Sequence, residues 1–229
     1  MSPAADPLSA WTLRALKFTD EPDDDLAKRR IEREAVCRLA CPTGAIVAFD
    51  PVGVFDGPYP AFARRIPPGQ YPVVVYILRR EQWGPRIGLA ELRVAEGAVA
   101  GWETAWTDMP PARWKNREPL SCYHVDSGKG CFVDAATIEA ICRDAVEHPV
   151  VEELHPLLEE LIWLDGADDV RPAFDSGLNI AAFSSGFGDG SYSSYWGLNA
   201  EGAPVRLVTS FDVLEEAMVP PRPPKEYPT

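Results

Sequence analysis

Apolar residues recur along this chain in short runs closed by proline or glycine, a pattern of strands and turns more than of long helices. The run Ala45–Phe49 follows a turn at Pro42 and Gly44 and reads as part of a β-hairpin. PPGQYPVVVYIL makes another turn and then a strand over Val73–Arg79. Arg86–Val94 and Trp102–Trp106 continue this β-rich half, although the apolar positions of Arg86–Val94 do not alternate cleanly enough to assign faces. Ser121–Asp134 reads as strand, turn and strand, bending at Gly128 and Gly130. The period then changes. Ile138, Ile141, Cys142 and Ala145 form one helical stripe that Pro149 ends, which predicts a helix over Asp134–Glu147. Val150–Leu164 is helical in pattern but broken at Pro156, Asp165–Pro172 reads as a loop, and Leu178–Phe183 as a strand.

Near the N-terminus, Glu21, Asp23, Asp24 and Asp25 precede Leu26, Arg30 and Arg33, with Ala27, Ile31 and Ala35 also at helical spacing. Acids favour a helix start, so Thr19–Arg38 predicts a helix, with Val36–Leu39 able to begin a strand instead. At the other end, the glycine-rich block Ser184–Gly202 predicts a strand, a turn at Asn199–Gly202 and a second strand ending near Leu214. Alternation puts Tyr192, Ser194 and Trp196 on one face of the first of these, and Ser193, Tyr195 and Gly197 on the other. The order of strands, helices and strands predicts a single α+β domain, mostly antiparallel sheet (a sandwich or a curled sheet) with two to three helices. The expected boundaries are an N-terminal extension over residues 1–22, the domain over 23–219 and a proline-rich tail over 220–229.

Composition narrows the classes. The chain has 229 residues, of which 46% are hydrophobic, enough for one sizeable core and against global disorder. Its 23 prolines are about twice the usual share of roughly 5%, which favours loops and strand edges. A formal charge of −13 repels nucleic-acid phosphates and anionic membranes and suits a basic protein partner or plain solubility. No stretch reaches the roughly 18 apolar residues of a membrane span. Five cysteines, an odd number, and an N-terminus without a signal-peptide pattern predict reduced thiols in a soluble, cytoplasmic protein.

No complete catalytic constellation stands out. Two Asp-Ser-Gly triplets, at Asp126 and Asp175, resemble the paired loops of aspartic proteases, but about 50 residues with helices between them leave no room for two β lobes, and Asx turns use the same residues. His124 lies beside the Asp126 turn and is able to pair with a carboxylate as an acid–base couple, or to be an ordinary hydrogen-bonded strand histidine. The cysteines form no zinc frame, and the Asp126–Asp134 loop lacks the calcium-hand pattern, so no metal and no cofactor is expected, although Asp189 with Asp126 or Asp134 leaves a site across the fold open. The catalytic candidates are therefore Asp126, Asp134, Asp189 and His124. The binding candidates are Asp189, Tyr192, Tyr195 and Trp196: a one-sided buried strand and an aromatic pocket beside Asp189 account for them equally. Gly188-Asp189-Gly190 itself is what a tight turn demands.

The order of several blocks resembles the bacterial domain of unknown function 4241 family. The residues that carry it are PTGAIVAFDP (Pro42–Pro51), PPGQYPV (Pro67–Val73), GWETAW (Gly101–Trp106), VDSGKGCFVD (Val125–Asp134), Asn179, SGFGDGSYSSYWGLNAEG (Ser185–Gly202) and the closing LVTSFDVL. They span about three quarters of the chain, from Cys37 to Leu214. Ser210 stands where the pattern expects an acid before Phe211, and Asp212 follows instead. The resemblance implies a bacterial soluble domain and no mechanism. The C-terminal pattern is also similar to immunity proteins that protect bacteria from contact-delivered toxins, an analogy of pattern. The expected function is thus non-catalytic binding of a basic protein partner, of immunity type; the alternative is a hydrolase with an acidic, metal-assisted site around Asp126, Asp134 and Asp189.

Overall fold

In the computed structural model the described residues are 8–57, 59–108, 118–147, 155–172 and 177–214. The sequence readings at His148, Val151–Leu154, Asp175, Ser176 and the tail from Pro220 lie outside them. Two short helices come first, α1 (Ala10–Leu16) and α2 (Asp23–Lys28), followed by β1 (Ile31–Cys41), β2 (Ile46–Phe49), β3 (Gly69–Arg80), β4 (Gly84–Arg93) and β5 (Gly101–Thr104). Then come β6 (Cys122–Val125), β7 (Lys129–Asp134), α3 (Ala135–Glu147), α4 (Pro156–Trp163), β8 (Ala167–Val170), β9 (Ile180–Ser184), β10 (Gly190–Leu198) and β11 (Pro204–Ser210). Among the described residues the strands make two antiparallel sheets. One runs β1-β3-β4-β11-β10-β5, with β6 sharing the β5 edge of β10, and the other runs β2-β7-β9-β8. The architecture is one α+β domain, as the sequence pattern implies, with four helices among the described residues against the two to three expected.

The smaller sheet is buried on both faces, which explains its continuous apolar runs. Ile46, Phe132, Ala181 and Phe183 face the larger sheet, while Val47, Phe49, Cys131, Val133, Ile180 and Ala182 point away and are covered by Ile138 and Ile141 of α3 and Leu157 and Leu161 of α4. A chain of ring contacts ties the sheets together: Phe132–Phe183 at 5.3 Å, Phe183–Phe211 at 5.8 Å, Phe211–Tyr192 at 5.0 Å and Tyr192–Tyr123 at 6.5 Å between centroids. On the larger sheet, fully buried Glu91 accepts from the Tyr76 hydroxyl at 2.6 Å and from Arg206 at 2.5 Å. Arg206 also reaches Asp20 at 2.8 Å, which ties the segment after α1 to this sheet. Ala15, Leu16 and Phe18, within the expected extension, are buried in the same core as the strands.

Three sequence readings are corrected. The helix expected over Thr19–Arg38 is only α2, and residues from Ile31 onward are strand β1. Arg30, at φ 62°, ends the helical turn, and β1 then pairs along β3 from Ile31↔Leu78 to Cys41↔Gly69. As an edge strand, β1 carries charges at Glu32, Arg33 and Glu34 that mimic a helix surface. The turn at Pro42–Gly44 does not close a hairpin: β1 belongs to one sheet and β2 to the other, so the chain changes layer there. Gly44 is required at that crossing, because it sits at φ 69° and an added Cβ would lie 1.8 Å from the Ile66 carbonyl oxygen. Finally, Asp165–Pro172, read as a loop, contains the edge strand β8.

Candidate functional site

The second layer change, between β6 and β7, builds the site. β6 pairs with β10 in the larger sheet and β7 with β2 and β9 in the smaller, so the loop over Asp126–Gly128 must bridge them. Asp50, which leaves β2 just before Pro51, holds that bridge. Its carboxylate accepts from the amide of Val52 at 3.1 Å, capping its own 3-10 turn, and from the amides of Asp126 and Ser127 at 2.9 and 2.8 Å. The Ser127 hydroxyl donates to it at 2.6 Å. Four donors on one carboxylate fix the loop to the end of β2.

A cavity of about 460 Å³ opens against this clip. Its apolar wall includes Phe49, Tyr59, Leu120 and Tyr123, and its polar wall Asp50, Asp56, His124 and Asp126. Phe49 and Tyr59 stack with centroids 4.1 Å apart. The Tyr59 hydroxyl donates to the Gly53 carbonyl at 2.8 Å, and its pKa is pushed up to about 12, first by burial and then by the negative charges of Asp56 and Asp50. Asp56 and Asp126 are exposed, and neither carboxylate accepts a hydrogen bond from a described residue. The described lining holds three carboxylates and neither lysine nor arginine.

The structure brings two of the sequence candidates, His124 and Asp126, to this cavity. His124 Nδ1 lies 2.7 Å from the Ser191 hydroxyl, across the β6–β10 pair. Asp134 is elsewhere. It is fully buried and accepts from the Thr43 amide at 3.1 Å, the Thr43 hydroxyl at 2.7 Å, the Gly44 amide at 2.9 Å and the Ala136 amide at 2.9 Å. It thereby fastens the β1–β2 crossing to the first turn of α3. Asp189 is exposed in the glycine-rich loop and accepts no hydrogen bond from a described residue; that loop is closed instead by Ser185 and Tyr192, whose hydroxyls donate to the Gly188 carbonyl at 2.8 and 2.7 Å. The loop abuts the Asp50 clip, since the Ser185 amide donates to the Gly128 carbonyl at 2.9 Å. Tyr192 and Trp196, 7% and 1% exposed, point into the core between the sheets, and Tyr195 is half-buried on the opposite face. Among the described residues no group of three or more His, Cys, Asp or Glu side chains is placed to hold a metal ion.

Sequence reasoning missed Asp50, Asp56, Phe49 and Tyr59. The one local signal was Asp50-Pro51, an acidic cap before a proline that begins a helical turn; its partners lie 76 and 77 residues away and leave no periodic trace.

A family model matches residues 39–209 of the chain. The chain belongs to the family described as Protein of unknown function (DUF4241). Every residue lining the cavity falls inside the DUF4241 match, whereas α1 and α2 precede it and Phe211–Leu214 follow it. No curated protein and no solved structure matches the chain. No described helix is long and apolar enough to cross a membrane.

All five cysteines are free. Burial pushes the thiols of Cys37 and Cys41 up to about 12 and raises those of Cys131 and Cys142. Cys122 lines the cavity. Because the thiolate is the reactive form, Cys122 is expected to react first with iodoacetamide at pH 8 in the native protein. Peptide mapping of early time points checks this; first modification at Cys37 or Cys142 would contradict it.

Proposed function

We propose that this DUF4241 protein is a non-catalytic binding protein that engages a basic protein partner through the face bearing the Asp50 cavity, in the manner of an immunity-type protein of the bacterial cytoplasm. The observation that carries the reading is the lining of that cavity: three carboxylates, two of them without a described hydrogen-bond donor, and neither lysine nor arginine among the described lining residues. The formal charge of −13 extends the same sign over the molecule and would speed encounter with a basic protein. Binding is favoured over hydrolysis because the carboxylates a hydrolase would need have different surroundings. Asp134 spends its oxygens on four donors inside the fold, and Asp189 sits on a separate exposed loop outside the cavity lining. Ser127 donates to Asp50, and the His124–Ser191 contact has no acid bonded to the histidine among the described residues.

Calorimetric titration with blocked hexa-lysine, hexa-arginine and hexa-glutamate tests the reading. The basic peptides are expected to bind at low salt and to weaken as salt rises, because exposed charges are screened over about 10 Å at 0.1 M. Hexa-glutamate is expected not to bind. Absence of binding by both basic peptides at low salt would overturn the proposal.

A further inference from the structure

The walls of the cavity carry the partner's chemistry further. A cation with a flat apolar face is what an aromatic ring beside carboxylates that meet no described donor receives best. Tyr59, half-buried in the cavity wall, presents such a ring; fully buried Phe49 backs it at 4.1 Å and the Tyr59 hydroxyl is fixed by the hydrogen bond to Gly53, so the ring is held in place before any guest arrives. Asp56 and Asp126 come from different segments, the turn after β2 and the loop after β6, and both line the same space. Asp50, already holding four donors, adds negative field without offering itself as the main acceptor. The Tyr59 hydroxyl is displaced upward first by burial and then by the charges of Asp56 and Asp50, which line the same cavity.

Resting on the binding function proposed above, we infer that the cavity is the receptor for an arginine side chain presented by the protein partner, its guanidinium lying against the Tyr59 ring and donating to Asp56 and Asp126. Arginine suits the site better than lysine. The planar guanidinium stacks on a ring and offers donors in two directions, whereas the ammonium is a compact, strongly hydrated point charge. The cavity volume of about 460 Å³ leaves room for the side chain and part of the backbone that carries it. This is the general manner in which one buried arginine anchors an interface.

The test uses the full chain and four probes: a blocked seven-residue glycine–serine peptide with one central arginine, its lysine and citrulline counterparts, and free agmatine. The arginine peptide is expected to bind more tightly than the lysine peptide, and the citrulline peptide, which keeps the shape but not the charge, is expected not to bind. Asp56→Asn and Asp126→Asn are each expected to weaken the arginine peptide roughly three- to fivefold, as befits an exposed ion pair, while Asp189→Asn, outside the cavity, leaves it unchanged. Thermal melts of each variant confirm that the fold persists. Equal binding of the citrulline peptide, or no weakening in both cavity variants, would overturn the inference. Agmatine binding more tightly than the arginine peptide would overturn the protein source of the cation in favour of a small molecule. If hexa-arginine binds the wild type and both cavity variants alike, the arginine receptor falls while the basic-partner reading stands; if no basic peptide binds at all, both fall.

Discussion

Asp134→Ala is expected to lose about 3–5 kcal/mol of stability, because it removes a fully buried carboxylate that accepts four hydrogen bonds, each of the charged kind worth about 1.5–3 kcal/mol and not simply additive. The substitution leaves the amides of Thr43, Gly44 and Ala136 without their acceptor inside the protein. An unsatisfied buried donor costs roughly 1–3 kcal/mol; the Gly44 amide is buried, whereas those of Thr43 and Ala136 are partly open to water, and the three share one site, so their costs do not simply add. For a chain of this size the loss corresponds to a fall in Tm of roughly 10 °C or more. Asp134→Asn keeps the shape and one carbonyl oxygen, so it is expected to fall between the two. Differential scanning calorimetry of the three proteins makes the comparison. A melting temperature for Asp134→Ala within about 1 °C of wild type would contradict the structural role and return this carboxylate to the list of chemical candidates.

Asp50→Ala is the second large effect, and it joins stability to function. The change removes the acceptor for the amides of Val52, Asp126 and Ser127 and for the Ser127 hydroxyl. Asp50 is half-buried, so water is able to replace part of what is lost, and a cost of about 2–3 kcal/mol is expected. The larger consequence is local. With the clip gone, the loop after β6 is no longer held at the end of β2, and Asp126 is not kept at the cavity wall. Amide hydrogen exchange at Asp126 and Ser127 is therefore expected to accelerate selectively, and binding of basic peptides to weaken about tenfold, equivalent to 1.4 kcal/mol. Ser127→Ala, which removes only the hydroxyl bond, is expected to cost about 1 kcal/mol and to leave both amides protected. Unchanged exchange at Asp126 and Ser127 in Asp50→Ala would remove Asp50 from the account.

The elements that the sequence made legible are those whose pattern is set locally. Apolar runs between proline and glycine turns located β3, β4 and β9, the change of period after Asp134 located α3, and alternation in the glycine-rich block put Tyr192 and Trp196 on one face and Tyr195 on the other, of which burial shows the first to be the inward one. What misled was pairing at a distance. β1 carries charges because it is an edge strand, and those charges fall at helical spacing by coincidence; only its partner β3, paired from Ile31↔Leu78 to Cys41↔Gly69, makes it a strand. Strand–turn–strand readings at Pro42–Gly44 and at Gly128 were right about strands and turns, but the chain changes sheets at both points, and nothing in a turn sequence says which layer the next strand joins.

The candidate site shows the same division. His124 and Asp126 were noticed because they sit beside a recognisable turn. Asp50 was seen only inside a family block, because its bonds run to residues 126 and 127 and no local pattern records them. Conversely, Asp134 looked like chemistry as the far acid of the Asp126–Asp134 loop, but it ends a strand beside a helix start, where a structural cap belongs. A carboxylate's role depends on how many donors already surround it. Asp50 and Asp134 are each met by four, whereas Asp56 and Asp126 meet no described donor.

The central claim is that the cavity beside Asp50 is where a basic partner is bound, and Cys122 in its wall reports occupancy directly. The decisive measurement is the rate of Cys122 alkylation by iodoacetamide, residue by residue, with saturating arginine peptide and with its citrulline counterpart. The account requires that the arginine peptide slow Cys122 severalfold while Cys142 and Cys37 keep their rates, and that the citrulline peptide change none of them. A Cys122 rate unaffected by saturating arginine peptide would contradict it.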